Sequence, residues 1–171
     1  MRKGNPGVIK NFVWNLRSGG AASFVASPNY GASLTIADAP ELVKNVATRS
    51  LAAENPPGAR VVVTLTPRGR LIDGTEGRVL NRVLTLHETS GRGAALRDIP
   101  FALYEVAVKL VQPDGTSRDL RVASGAPEVS ADGTNRTYRW QPTATIDFVA
   151  VGTAASEAGR NSARLVIGEA R

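Results

Sequence analysis

The chain has 171 residues, of which 42% are hydrophobic and 21% charged; it holds 17 Gly, 10 Pro, one His and no Cys. That length buries a real core in one domain, and that composition lies well above the apolar content of a disordered chain. The missing cysteines exclude a disulfide framework, a thiolate metal site and a cysteine nucleophile, and a single imidazole excludes any site needing two. The formal charge of +6 is spread over both halves. An acid-free leader carries Arg2, Lys3, Lys10 and Arg17. A solvated terminus explains it more simply than nucleic acid, which stays possible without being favoured.

No stretch reaches the roughly 18–20 apolar residues of a membrane span. Gly4, Asn5, Pro6, Asn11 and Asn15 interrupt what a signal peptide would need as its apolar core. The expected location is therefore the cytoplasm, or a particle assembled there, with no membrane partner.

In chain order, Val8–Trp14 and Ala22–Ala26 suit a hairpin about Arg17-Ser18-Gly19-Gly20. Asp38-Ala39-Pro40-Glu41 reads as a helix start, with Leu42, Val43, Val46 and Leu51 along one face to about Ala53. The competing reading, slightly preferred, makes residues 1–57 an extended arm of small and polar residues that orders against neighbours. Its large anchors are Phe12, Trp14, Phe24 and Tyr30. Pro56-Pro57 marks the boundary, giving an arm over 1–57 and a β domain over 58–171.

The β domain reads as short strands divided by turn residues. Ala59–Thr66 is β-branched and closed by Pro67-Arg68-Gly69. Arg78–His87 alternates, with Leu80, Leu84 and Leu86 on one face. Phe101–Val111 places Tyr104, Val106, Val108 and Leu110 on one face, and Pro113-Asp114-Gly115 turns it into Arg118–Val122. Arg136–Trp140, Thr145–Val151 and Ala163–Ile167 complete about seven strands. The expectation is a mainly β, antiparallel, Ig-like sandwich with an N-terminal extended arm.

Catalytic chemistry is hard to find. Gly91-Arg92-Gly93 lacks a third glycine and a following helix, so it reads as a turn rather than a phosphate loop. His87 has no obvious nucleophile to serve and reads as a polar residue on an outer strand face. Asp73, Glu76, Asp114 and Asp132 sit beside glycines, where short acids bond their own backbone. No catalytic, cofactor or metal residue is therefore expected. Arg118, Arg121, Arg136 and Arg139 flank Tyr138 and Trp140, but strand alternation separates the arginines from the aromatics, unlike a stacking platform for single-stranded nucleic acid.

The run Leu96-Arg97-Asp98-Ile99-Pro100-Phe101-Ala102-Leu103-Tyr104-Glu105-Val106 resembles carboxypeptidase-regulatory-like and related transthyretin-like or Cna-B-type Ig-like modules. These end a strand in a leucine–x–x–isoleucine–proline step and open the next on a tyrosine. Ala102 departs from their usual glycine. The resemblance covers residues 59–111 at most and implies a non-catalytic β module used for adhesion, spacing or assembly. In layout, a cysteine-free, basic β domain with a small-residue arm is similar to bacteriophage virion components such as head decoration or tail proteins. That likeness implies partners that are copies of itself or other structural subunits, met through an arm whose contacts would be Lys10, Phe12, Trp14 and Arg17. The alternative is a carbohydrate- or protein-binding module acting through loops 67–78 or 112–117, although these loops carry no aromatic residue for stacking on sugars.

Overall fold

A computed structural model describes residues 31–71, 74–148 and 161–169. The expected contacts Lys10, Phe12, Trp14 and Arg17, and the hairpin expected over 8–26, lie outside the described residues.

Among the described residues twelve strands run in order: β1 (Ala32–Asp38), β2 (Leu42–Val43), β3 (Val46–Ala47), β4 (Arg60–Pro67), β5 (Leu80–Thr85), β6 (Ala94–Ile99), β7 (Leu103–Val111), β8 (Ser117–Ser124), β9 (Glu128–Val129), β10 (Arg136–Thr137), β11 (Ala144–Asp147) and β12 (Ser162–Gly168). One short helix, α1 (Leu51–Glu54), and a 3-10 turn (Leu86–Thr89) complete the described elements.

The longest pairing is between β4 and β7, antiparallel from Arg60↔Val111 to Pro67↔Tyr104. Their alternation sends Val61, Val63 and Leu65 inward from β4, and Tyr104, Val106, Val108 and Leu110 inward from β7. β7 turns into β8 as the Pro-Asp-Gly run predicts. Gly115 takes a left-handed φ of 87°, and Asp114 Oδ1 accepts from the Thr116 amide at 2.8 Å.

The fold is mainly β, as expected, but it is not a plain sandwich of two antiparallel sheets. Eight strands form one mixed sheet, in the order β5-β4-β7-β8-β12-β1-β6, with β11 also on β7, and this sheet curls into a nearly closed barrel. β8 produces the curl by serving two neighbours in succession. Its first half pairs with β7, from Ser117↔Val111 to Leu120↔Val108. Its second half pairs with β12, from Arg121↔Gly168 to Ser124↔Leu165. β12 then lies parallel to β1, with Ser33↔Ser162 through Asp38↔Ile167. Short antiparallel patterns in the sequence could not reveal a parallel partner more than a hundred residues away.

Both ends of this sheet, β5 and β6, are consecutive in sequence, and the 3-10 turn joins them. Thr85 and Glu88 form a capping box there, which stops β5 and places His87 on the turn, exposed, rather than on a strand face. Leu86 and Thr89 are buried below it. Gly93 follows with a φ of 84°; a Cβ there would lie 2.5 Å from the Ile36 carbonyl oxygen of β1. Only glycine lets the chain pass that close.

One core fills the barrel. Leu34 and Ile36 of β1, Leu51 of α1, the inward rows of β4 and β7, and Leu165 and Ile167 of β12 belong to it. Tyr104 and Phe148 meet edge-to-face inside it, with centroids 6.2 Å apart, and burial pushes the Tyr104 phenol up from its ordinary value. Residues 32–54, on the arm side of the expected boundary at Pro57, thus supply an interior strand of the sheet and a helix that buries Leu51 in the core. The helix expected from Asp38 to about Ala53 is replaced by β1's end, a β-hairpin and the four residues of α1.

Candidate functional site

A second, four-stranded sheet, in the order β3-β2-β10-β9, stands on the outside of the barrel. Its hairpin turns through Lys44 and Asn45, whose φ values of 50° and 65° are the paired left-handed residues of a type I′ turn. Asparagine tolerates that region well; lysine does so less readily, and the tip is accordingly clamped. The Lys44 amide donates to Asn135 Oδ1 at 2.9 Å, and the Asn45 amide to the Thr134 carbonyl at 2.8 Å. The 130–135 turn that receives them is knotted by Asp132, which accepts from the Ser130 hydroxyl and from the Thr134 amide and hydroxyl. Those bonds hold the Asp132 carboxyl below its usual range, the local role expected for an acid beside glycine.

Glu41 fixes this sheet to the barrel. Its backbone exchanges bonds with Thr48, amide to Oγ1 at 2.9 Å and carbonyl from the Thr48 amide at 2.8 Å. Its Oε1 accepts from both the Tyr138 amide and the Trp140 indole N–H, each at 2.9 Å. Tyr138 packs against Trp140 with centroids 5.5 Å apart. The six-membered ring of Trp140 in turn covers Gly168 of β12, where a Cβ would come 2.7 Å from Cη2.

Between these parts lies a cleft of about 200 Å³. Asp38, Glu41, Arg49, Glu54, Arg121 and Trp140 are among its walls. Asp38 is 5% exposed, and its carboxylate accepts the Ala52 amide at 3.1 Å as well as the Leu51 amide. Burial raises its pKa above the ordinary value; the two amide bonds oppose that rise, and the nearby Glu54 charge adds to it. Asp38 is thus the buried cap of α1, with Ser50 Oγ taking the next amide, that of Ala53.

Three of the four arginines singled out in the sequence fall in ion pairs or the cleft. Arg139 binds Glu128, and Arg118 binds Glu169 and Asn55. Arg121 instead lines the cleft together with Trp140. This brings an arginine and an aromatic to one place, where alternation along a single strand had separated them. The Val122↔Gln141 bridge is the cause, because it lays the Trp140 segment across β8.

Among the described residues no group of His, Cys, Asp or Glu is arranged to hold a metal ion, and no described helix is long and apolar enough to cross a membrane. Among the described residues the large apolar side chains left exposed are Val43 and Val46, Val129, Val79 and Val83, and Leu103. Val43 and Val46 are cross-strand partners on one face of the outer sheet, and Val46 is 69% exposed. Val79 and Val83 lie beside and on β5, an edge strand of the barrel sheet that has no second partner among the described residues. Comparison with protein-family models, with curated proteins and with solved structures gives no match.

Proposed function

We propose that the chain is a non-catalytic structural subunit of a multi-subunit assembly, a phage virion component of the head-decoration or tail type. The supporting observation is where the exposed apolar side chains sit. Five valines stand on or beside strands: Val43, Val46 and Val129 on the outer sheet, Val79 and Val83 along the edge of the barrel. Exposed apolar positions on or beside strands suit contact with other subunits. Glu41, Trp140 and the Lys44–Asn135 clamp hold the outer sheet in place before any partner arrives, which limits the entropy lost on association. The N-terminal segment, with Lys10, Phe12, Trp14 and Arg17, is the reading's second contact element.

Sedimentation velocity on the full chain and on residues 31–171 tests this. The full chain should sediment as a multimer, and the shortened chain should stay folded with its assembly weakened or lost. A full chain that sediments as a monomer at every concentration would sink the reading.

A second reading, a carbohydrate- or protein-binding module, is favoured by the cleft rather than by the loops. Trp140, Arg49, Arg121 and Glu54 together offer a ring and charged hydrogen-bonding groups. Tryptophan fluorescence in a Trp14→Phe background should shift on saturation with oligosaccharides if that reading holds.

A further inference from the structure

The two edges of the barrel sheet are not alike. β6 is blunted: its register with β1 shifts between Ala32 and Leu34, Asp98 takes a left-handed φ of 58°, and Arg97 and Asp98 are both exposed. Bulges and charges of this kind discourage a further strand. β5 is less protected: Arg82 is the one charge along it. Its register with β4 is regular from Leu80↔Leu65 to Thr85↔Arg60, with no bulge, and Val83 is 60% exposed.

The direction of the free backbone groups follows from two bonds. The Leu86 amide donates to the Ala59 carbonyl, continuing the β4–β5 register. The Thr85 amide turns away from β4 and donates to Glu88 Oε2 at 2.6 Å. In an antiparallel ladder successive residues point to opposite edges. Even-numbered residues of β5 therefore bond β4, and Asn81 and Val83 present their amides and carbonyls at the open edge.

The run Val79-Leu80-Asn81-Arg82-Val83 is also close to a palindrome in its apolar pattern. An antiparallel second copy centred on Asn81 places Val79 opposite Val83 of the other copy, and Val83 opposite Val79. Asn81 then faces Asn81 of the second copy as a hydrogen-bonded pair. Arg82 carries the run's one charge and falls opposite Leu80 of the second copy, so no like charges stand directly across the axis. The N-terminal leader suits this edge less well on charge, because its Arg2, Lys3, Lys10 and Arg17 are basic, as are Arg78 and Arg82 of the edge.

We infer that the free edge of β5 pairs with the same edge of a second copy of this chain, about a two-fold axis at Asn81, joining two barrel sheets into one. This interface deepens the assembly reading and rests on it.

The cysteine-free chain allows a register-specific test. Hydrogen-bonded antiparallel partners have Cα atoms about 5.5 Å apart, inside the roughly 4.4–6.8 Å span of a disulfide. Under a mild oxidant, most of an Asn81→Cys full-length chain should become a disulfide-linked dimer, while His87→Cys on the exposed turn should remain single. Hydrogen exchange on the unmodified chain reads the same edge: the Asn81 and Val83 amides should exchange at least tenfold more slowly at high than at low concentration. A multimer in which Asn81→Cys fails to cross-link and these amides exchange freely overturns the β5 interface and leaves the assembly reading standing. Protection of both amides that does not change with concentration, without cross-linking, overturns it in favour of a strand from the same chain. A chain monomeric at every concentration overturns both.

Discussion

Asp38→Ala would test how the N-terminal part of the chain is tied to the barrel. The carboxylate is 5% exposed at the end of β1 and accepts two amides from the first turn of α1, those of Leu51 and Ala52. Alanine leaves both without their acceptor. A buried unsatisfied donor costs about 1–3 kcal/mol. Ala52 is only half-buried, so water recovers part of its loss, and a net cost of about 2 kcal/mol is expected. For a chain of this length that lowers Tm by roughly 4–8 °C. Asp38→Asn separates the bond from the charge. It retains one acceptor oxygen and abolishes the cost of burying a carboxylate.

The sign of the pH dependence follows from the direction of the shift. Because the folded pKa is raised, the folded state holds the Asp38 proton more tightly than the unfolded state does. The stability this confers is present below the ordinary value of 3.8 and is lost as pH rises through the raised folded pKa. The stability of the unmodified chain relative to Asp38→Asn should therefore fall as pH rises from about 4 to 7. Thermal unfolding of the three proteins across that range measures both effects. An Asp38→Ala chain as stable as the parent, or a parent stability relative to Asp38→Asn that rises with pH, would refute the reasoning.

Three further outcomes are expected. Glu41→Ala removes the acceptor shared by the Tyr138 amide and the Trp140 indole, and should destabilise by about 1–3 kcal/mol while red-shifting Trp140 emission in a Trp14→Phe background. Gly168→Ala pushes a methyl into the Trp140 ring and should cost about 1–2 kcal/mol; combining it with Trp140→Phe should relieve part of that cost in a thermal double-mutant cycle. Acidification should loosen the 130–135 turn, because Asp132 has a lowered folded pKa and its contribution, present above the ordinary carboxylate value, is lost as pH falls through the folded value. Faster amide exchange at Thr134 in acid, after correction for intrinsic rates, would show it.

Much of the barrel was legible because its strands obey local rules. The inward row Tyr104, Val106, Val108 and Leu110 and the Pro-Asp-Gly turn were visible as period-two alternation and turn chemistry, and both stand as read. The stop at Thr85 was hidden in a capping box that resembles continued alternation, so the strand was read on to His87. Asp38 offered a genuine helix-capping signal, but it caps a helix thirteen residues later, because β1 delivers it to α1 through space. The parallel β1–β12 pair left no local trace at all. It joins residues near opposite ends of the chain, and it is what turns a set of antiparallel hairpins into a nearly closed barrel. The cleft escaped for the same reason. Arg121 and Trp140 lie on different segments, and Glu41, read as a helix-opening acid, instead holds the indole of Trp140.

The most direct test of the assembly account is the native mass of the full chain by light scattering, across a wide concentration range, with the 260/280 nm absorbance ratio taken on the same peak. The account predicts a defined multimer or larger particle free of nucleic acid. A clean monomer throughout would contradict it.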